Sequence, residues 1–169
     1  MSIQDNFRLA MRRYIYSVSI MSNKDEKGDT NAITVSSVTS ISMNPPSLLI
    51  CINKSSRIHD TLQVGSQFCV NLLNKHQTEL SNICSDEDSY EKRFSDEHWN
   101  INKVPYLSNA QANIFCKVDK LTSYHTHTIV IGLVEDAKHA DEISTLTYVD
   151  GEYKYCLLYT SPSPRDGIG

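Results

Sequence analysis

The chain has 169 residues, of which 40% are hydrophobic and 21% charged, a composition that allows one packed domain and argues against disorder. Sixteen Lys and Arg against 20 Asp and Glu leave a net charge of −4, which argues against nucleic-acid binding as the main function. No apolar run approaches the roughly 18 to 20 residues that cross a bilayer, so we expect no membrane association. Residues 1–13 lack the pattern of a signal peptide, so we expect a cytoplasmic protein.

The N-terminal segment is predicted to form a helix. Its apolar residues, from Phe7 to Tyr14, recur at the spacing of one helical face. Ser2 followed by Asp5 resembles a capping box, which would begin the helix at that point. A strand is predicted next, over residues 16–21.

The segment at 32–43 is rich in β-branched residues, which are typical of strands. Its apolar positions change parity twice, so one flat strand cannot bury all of them. We therefore predict a bulge or turn near residues 36–40, which would re-aim backbone groups that a ligand could use. Pro45 and Pro46 mark a corner, because proline cannot sit in a central strand.

The rest of the chain predicts mostly strands with short helices between them. One helix is predicted over residues 57–63, capped by Ser55 or Ser56, and another from Asn74 to about Cys84. The segment at 85–111 is polar and loop-like. The helices are too few for a doubly wound sheet, so a mostly β Greek-key barrel or sandwich is the better prediction. The strands are predicted over 47–53, 67–73, 113–121, 127–137 and 146–148.

One domain is predicted over residues 1–155, followed by an irregular tail over residues 156–169. The tail is rich in Ser, Pro and Gly and has no periodicity, so we interpret it as a frayed end or as a translated scar that is not native to the protein. The five cysteines include no Cys-x-x-Cys pair. They are predicted to be reduced thiols, which favours neither a disulfide framework nor a zinc site.

Five segments occur together in a distinctive order: FRLAMRRY, NAITVSSVTSISMNPPSLLICINKSS, FCVNLLNKHQTELS, HTIVIGLVED and YVDGEY. They cover residues 7–153 and resemble the flavin reductase-like family, most specifically between Asn31 and Ser56. The resemblance implies a split β-barrel of Greek-key topology with a few short helices, usually a homodimer with FMN or FAD bound near the dimer interface. It also implies hydride transfer from NADH or NADPH to the flavin, with reduced flavin passing to a partner monooxygenase.

The resemblance implies that the β-branched segment contributes most of the flavin site. Its first residues match those that line the isoalloxazine ring, and the following ones match residues whose N–H and hydroxyl groups meet the flavin. The alternative is a row of hydroxyls that face solvent. The residues are Asn31, Ala32, Ile33 and Thr34 for the ring, and Ser36, Ser37, Val38 and Thr39 for the polar contacts.

The turn at residues 53–56 is the predicted phosphate site. A turn before a helix N-terminus offers N–H donors and a favourable dipole to an anion. Lys54 adds a positive charge, unless it is simply a solvated surface lysine. Arg57 and His59 follow, and each either reaches a phosphate or the adenine end of a dinucleotide or is an ordinary surface residue. The turn consists of Asn53, Lys54, Ser55 and Ser56.

His127 is the predicted catalytic residue, because it matches a family histidine near the nicotinamide and flavin rings. It would position the nicotinamide or stabilise charge on reduced flavin, the alternative being a structural strand histidine. The Gly-Asp pair that precedes it in the family is replaced by His125-Thr126, at backbone angles that cost more for His than for Gly. Tyr153 matches a position near the ring. His125 and His127 lack a third ligand, so we predict no metal site.

Two other functions stay open at this point, a flavin-binding electron carrier without reductase turnover and a related split-barrel oxidase acting on a small molecule. The chain has neither a Walker A nor a Gly-x-Gly-x-x-Gly motif, so a nicotinamide would bind transiently in the flavin groove. The sequence also leaves open whether the flavin is FMN or FAD, whether the nicotinamide nucleotide is NADH or NADPH, and which oxygenase is the partner. It does not decide whether the flavin is a substrate or a prosthetic group.

Overall fold

The computed structural model describes residues 1–155, and the predicted tail at 156–169 lies outside the described residues. The described chain is mostly β, as predicted, with two short α-helices and two 3-10 helices. The helices are α1 Ile3–Met11 and α2 Thr78–Ser85, and the 3-10 helices are Arg57–Thr61 and Glu87–Lys92. The strands are β1 Tyr16–Ser17, β2 Ser19–Lys24, β3 Thr30–Val35, β4 Thr39–Met43, β5 Pro46–Asn53, β6 Gln67–Leu72, β7 Trp99–Asn100, β8 Tyr106–Leu107, β9 Ala112–Tyr124, β10 His127–His139, β11 Leu146–Val149 and β12 Glu152–Tyr155.

Seven strands form one antiparallel sheet in the order β3-β2-β6-β9-β10-β5-β4. Its two edge strands, β3 and β4, are consecutive in the chain and separated only by residues 36–38, which brings the two edges together. One face of the sheet encloses the main core, because side chains alternate between the two faces of a strand. The fully buried members of this core include Ile50, Ile52, Phe68, Val118 and Val130.

A second, smaller core lies under α2. It contains Ile20 from β2, Leu80 from α2 and Leu146 from β11, and Tyr153 of β12 packs against it. Strands β1, β11 and β12 form a separate three-stranded sheet beside it. None of the helices in residues 1–155 is long and apolar enough to span a bilayer.

The predicted break within residues 32–43 is confirmed. β3 ends at Val35 and β4 begins at Thr39. Between them, the Ser37 hydroxyl accepts a hydrogen bond from the Cys51 N–H at 3.1 Å and donates one to the Cys51 carbonyl at 3.2 Å. These two bonds hold the β3–β4 loop against β5, near the end of that strand.

The helix α2 begins at Thr78 and its N-cap is Gln77, three residues after the cap predicted at Asn74. The reason is a turn closed by side chains. The Gln77 Oε1 accepts from the Asn74 N–H at 2.8 Å, and the Asn74 Oδ1 accepts from the His76 N–H at 2.8 Å. The two polar residues recognised in the sequence therefore pair with each other, as expected, but they form a turn before the helix.

The helix α1 lies outside both cores. Its predicted capping box is present, with the Asp5 N–H donating to the Ser2 Oγ at 3.1 Å. None of its residues is buried, and Phe7 is 65% exposed. The apolar face predicted from its spacing is therefore a surface feature of the described chain.

Candidate functional site

The turn at the end of β5 is organised by Asn53. The Asn53 Oδ1 accepts from both the N–H and the hydroxyl of Ser55, each at 2.9 Å. The Asn53 carbonyl accepts from the N–H of Ser56 at 3.1 Å and from its hydroxyl at 2.7 Å. All four of these hydrogen bonds in the predicted phosphate turn therefore end on Asn53, two on its side-chain amide oxygen and two on its backbone carbonyl.

The helix predicted after this turn is a 3-10 helix of five residues, Arg57–Thr61. A helix this short has little macrodipole, so the expected dipole contribution to anion binding is small. The positive charge at the turn comes instead from the side chains of Lys54 and Arg57. This changes the physical basis of the predicted phosphate site from backbone dipoles to side-chain cations.

His127 lies beside this turn. It begins β10 and pairs in register with Asn53, the last residue of β5. The Lys54 N–H donates to the Thr126 carbonyl at 3.0 Å, and the Lys54 ammonium donates to the Ser123 hydroxyl at 2.5 Å. The structure thus joins the predicted phosphate turn to the β9–β10 hairpin that carries the predicted catalytic histidine.

The imidazole of His127 is half-buried, and its Nδ1 lies 2.8 Å from the Thr126 hydroxyl. The residue two positions before it, His125, has a φ of +49°, in the left-handed region that glycine adopts most easily. His125, which stands where the family has glycine, therefore adopts a glycine-like backbone angle, and it does so at the cost of some backbone strain. The hairpin that positions His127 retains its tight turn.

A cavity of about 380 Å³ opens at the end of β3. Three of the predicted residues line it: Thr34, Ser36 and Tyr153. The Tyr153 ring meets the Tyr148 ring edge to face, with centroids 5.2 Å apart. The cavity therefore combines hydroxyl groups with two aromatic rings, a lining that suits a planar, polar-edged ligand.

The hydroxyl of Tyr153 is committed to α2. It donates to the Asn82 Oδ1 at 2.8 Å, and the Ser81 Oγ lies 2.8 Å away. A phenol has only one proton to donate, so Ser81 is the donor in the second bond. Tyr153 therefore offers the cavity its ring, and its hydroxyl joins β12 to the middle of α2.

Seven residues of this cavity were not predicted from the sequence, four of them with polar groups in their side chains. Ser81 and Ser85 lie four residues apart on α2, a spacing that places them on one helical face and was the available signal. Asn82 and Tyr148 have no comparable local signal. The cavity is completed by Val18, Val35 and Gly151.

Some predicted residues lie away from the cavity. The buried Asn31 accepts from the Tyr90 hydroxyl at 2.8 Å, and the Ala32 carbonyl accepts from the Arg93 guanidinium at 2.6 Å. Both atoms therefore help to fix the segment around residues 86–93. The side chains of Ile33 and Val38 pack against the main core, and Thr39 is exposed on β4.

Two cysteines are buried members of the cores, Cys116 of the main core and Cys84 of the second core. Burial raises the pKa of Cys84, under α2, to about 12, and it raises the pKa of Cys116 on β9 to about 12. All four cysteines up to residue 155 are free thiols. No three His, Cys, Asp or Glu side chains are grouped as a metal site would require within that part of the chain.

Residues 11–156 match the Flavin reductase like domain. The reductase component of FADH(2)-dependent resorcinol hydroxylase from Rhizobium sp. (strain MTP-10005) is 36% identical over 156 residues, covering 89% of this chain and 86% of the relative. The FMN reductase (NADH) RutF of Pseudomonas syringae pv. syringae (strain B728a) is 31% identical over 151 residues, covering 88% and 84% respectively.

A similar solved structure is the styrene monooxygenase flavin reductase from Pseudomonas putida S12. It superimposes with a TM-score of 0.78 at 29% sequence identity, over 91% of this chain and 99% of the other. The agreement extends over nearly the whole described chain. It confirms the mostly β split-barrel fold that was predicted.

Proposed function

The chain belongs to the flavin reductase-like family, and we propose that it is an NAD(P)H:flavin oxidoreductase that transfers a hydride from NADH or NADPH to FMN or FAD. Its relatives are named as an NADH-dependent FMN reductase and as the reductase component of a hydroxylase. Reduced flavin leaving this protein therefore supplies a partner oxygenase.

The observation that carries this proposal is the pairing of Asn53 with His127 at the ends of β5 and β10. It places a turn with a cationic side chain next to a half-buried imidazole. The Ser37 hydroxyl is hydrogen-bonded to the backbone of Cys51, two residues before Asn53. Ser36, the residue before Ser37, lines the cavity together with Thr34. A flavin needs a cation for its phosphate, hydroxyl or N–H donors for its polar edge, and an aromatic or apolar wall for its ring. The residues present supply all three.

Bound flavin would supply the hydride acceptor, and hydride transfer itself requires no protein acid or base. The work of the chain is positioning and the exclusion of water. The ammonium of Lys54 would hold the flavin phosphate, Ser36 would donate to the polar edge of the ring, and the rings of Tyr148 and Tyr153 would flank it in the cavity. The imidazole of His127 would orient the nicotinamide, with its Nδ1 paired to the Thr126 hydroxyl as it is in the structure.

Absorbance at 340 nm tests this function directly. Purified protein is mixed with NADH or NADPH, with and without FMN or FAD. Oxidation that saturates with added flavin supports the reductase and selects both nucleotides. A protein that retains flavin through gel filtration but oxidises no nucleotide would instead be an electron carrier or an oxidase.

Replacing His127 with asparagine should lower kcat/KM for the nicotinamide nucleotide by about 30-fold, because one positioning hydrogen bond is worth roughly 2 kcal/mol. Flavin affinity, measured by fluorescence, should change less than twofold. The matched control is His139→Asn at the exposed far end of the same strand. Equal losses in flavin affinity and turnover would show that His127 only supports the hairpin.

We propose that the protein is a homodimer that uses the outer face of β5 and β10. Leu49 and Cys51 pair in register with Ile131 and Ile129, and all four side chains are half-buried and uncharged. This apolar face ends at the Asn53–His127 pair, so a second copy packed on it would border the flavin site.

Replacing Ile131 with glutamate should convert the dimer to a monomer and weaken flavin binding at least tenfold, because a charge in an apolar interface is costly to desolvate. Sedimentation velocity measures the association state, and circular dichroism checks the fold. Ile143→Glu, at an isoleucine that is 61% exposed elsewhere, is the control. A wild-type protein that sediments as a monomer would exclude the proposed interface.

We also propose a domain boundary near residue 155 and a cytoplasmic location. The family match ends at residue 156, beside the predicted tail. The free thiols of the described chain are typical of a reducing compartment. Cell fractionation tests the location, and limited proteolysis tests the boundary.

A further inference from the structure

Two arginines contact the ring of Tyr90 and have different surroundings. Arg93 is 4% exposed at its side chain, and its guanidinium donates to the carbonyls of Ala32 and Asp86 at 2.6 and 3.1 Å. Its guanidinium carbon lies 4.6 Å from the ring centroid. Arg93 is therefore a fixed structural group that locks the segment after α2 onto β3.

Arg57 is the exposed member of the pair. Its side chain is 57% exposed, and its guanidinium carbon lies 3.9 Å from the Tyr90 ring centroid. The Glu87 Oε2 lies 3.7 Å from its Nε, beyond hydrogen-bond distance. Within residues 1–155, no acceptor forms a hydrogen bond with the Arg57 guanidinium. Its donors are therefore available, while the ring and the carboxylate hold the group in place.

The Tyr90 ring that supports Arg57 is itself anchored. Its hydroxyl donates to the Asn31 Oδ1 at 2.8 Å, and Asn31 is buried on β3. Arg57 is thereby held between β3 and the turn at residues 53–56, which it follows directly in the chain. A guanidinium in this state is prepared to bind an anion, because it loses no hydrogen bond when it moves to a ligand.

We propose that Arg57 recognises the second phosphate of a dinucleotide bound at this site. The inference rests on the proposed function, in which Lys54 and its turn hold the first phosphate. Arg57 lies three residues further along, and its planar fork can bind phosphate oxygens through two parallel hydrogen bonds. FMN has one phosphate and does not need this group, whereas FAD and the nicotinamide nucleotides carry a diphosphate.

The variant Arg57→Gln tests this inference. Flavin fluorescence gives the Kd for FAD and for FMN, and turnover with saturating FMN gives the KM for NADH. We expect FAD affinity to fall about tenfold or the KM for NADH to rise about tenfold, with FMN affinity changed less than twofold. A loss confined to FAD identifies the flavin diphosphate as the ligand, and one confined to NADH identifies the nicotinamide diphosphate.

The control is Arg8→Gln, which removes the same charge from an exposed position on α1. An equal loss for FMN and FAD would overturn the proposal, because Arg57 would then act on the first phosphate. No change in either dinucleotide would also overturn it. A wild-type protein that binds neither flavin would contradict the proposed function itself, an outcome distinct from both.

Discussion

Replacing Gly132 with alanine should lower the free energy of unfolding by about 3 kcal/mol, the upper part of the range for overpacked cores. A Cβ at this position would lie 2.7 Å from Cζ of Phe68 and 3.0 Å from Cβ of Cys116. Phe68 is completely buried in the main core, so a movement of its ring has to be taken up by the core side chains around it. Gly132 does not have a positive φ, so the expected loss is steric and owes nothing to backbone strain.

Urea denaturation of the two single variants and the double variant isolates this contact. Phe68→Leu alone should destabilise the protein by leaving a cavity, whereas Gly132→Ala combined with Phe68→Leu should recover part of the loss. A coupling energy of about 1 kcal/mol or more is expected for such a direct contact. Additive losses would show that the alanine methyl group is accommodated by a movement elsewhere.

The strand pattern of this protein was accessible from the sequence because burial alternates regularly. In β10, Thr128, Val130 and Gly132 face the core, and the residues between them face outward. The break near residues 36–40 followed from the same rule, because a change in parity cannot be buried by one strand. The late start of α2 was not accessible, because the side chains of Asn74 and Gln77 suit a turn as well as a cap.

The arrangement of the candidate site was harder to predict from the sequence than the strands were. Asn53 and His127 were each singled out, but their pairing depends on strand register, which local sequence does not determine. Asn31 was expected at the isoalloxazine ring, yet its side-chain oxygen accepts from Tyr90, a partner 59 residues away. Whether its backbone also meets the flavin stays a prediction. The residues on α2 were missed because polar groups on a short helix usually face solvent.

The electrostatic character of the Asn53 turn leads to the largest expected effect on binding. Asn53→Asp should weaken FMN and FAD binding by about 100-fold, because a unit charge near the phosphate at an effective dielectric constant of about 20 costs roughly 2–3 kcal/mol. The fold should survive, since a carboxylate oxygen accepts the same hydrogen bonds from the Ser55 N–H and hydroxyl. Flavin fluorescence titration measures the affinity, and urea denaturation measures the stability.

Two comparisons separate charge from geometry. Asn53→Ala removes the acceptor without adding charge, so it should cost about 1 kcal/mol of stability and weaken flavin binding by deforming the turn. Asn44→Asp adds the same charge in the exposed β4–β5 turn, at the opposite end of β5, and should leave affinity unchanged. Raising the ionic strength should restore part of the affinity lost in Asn53→Asp and none of that lost in Asn53→Ala. Unchanged flavin affinity in Asn53→Asp would place the phosphate elsewhere, because an added carboxylate beside a bound phosphate cannot be neutral in energy.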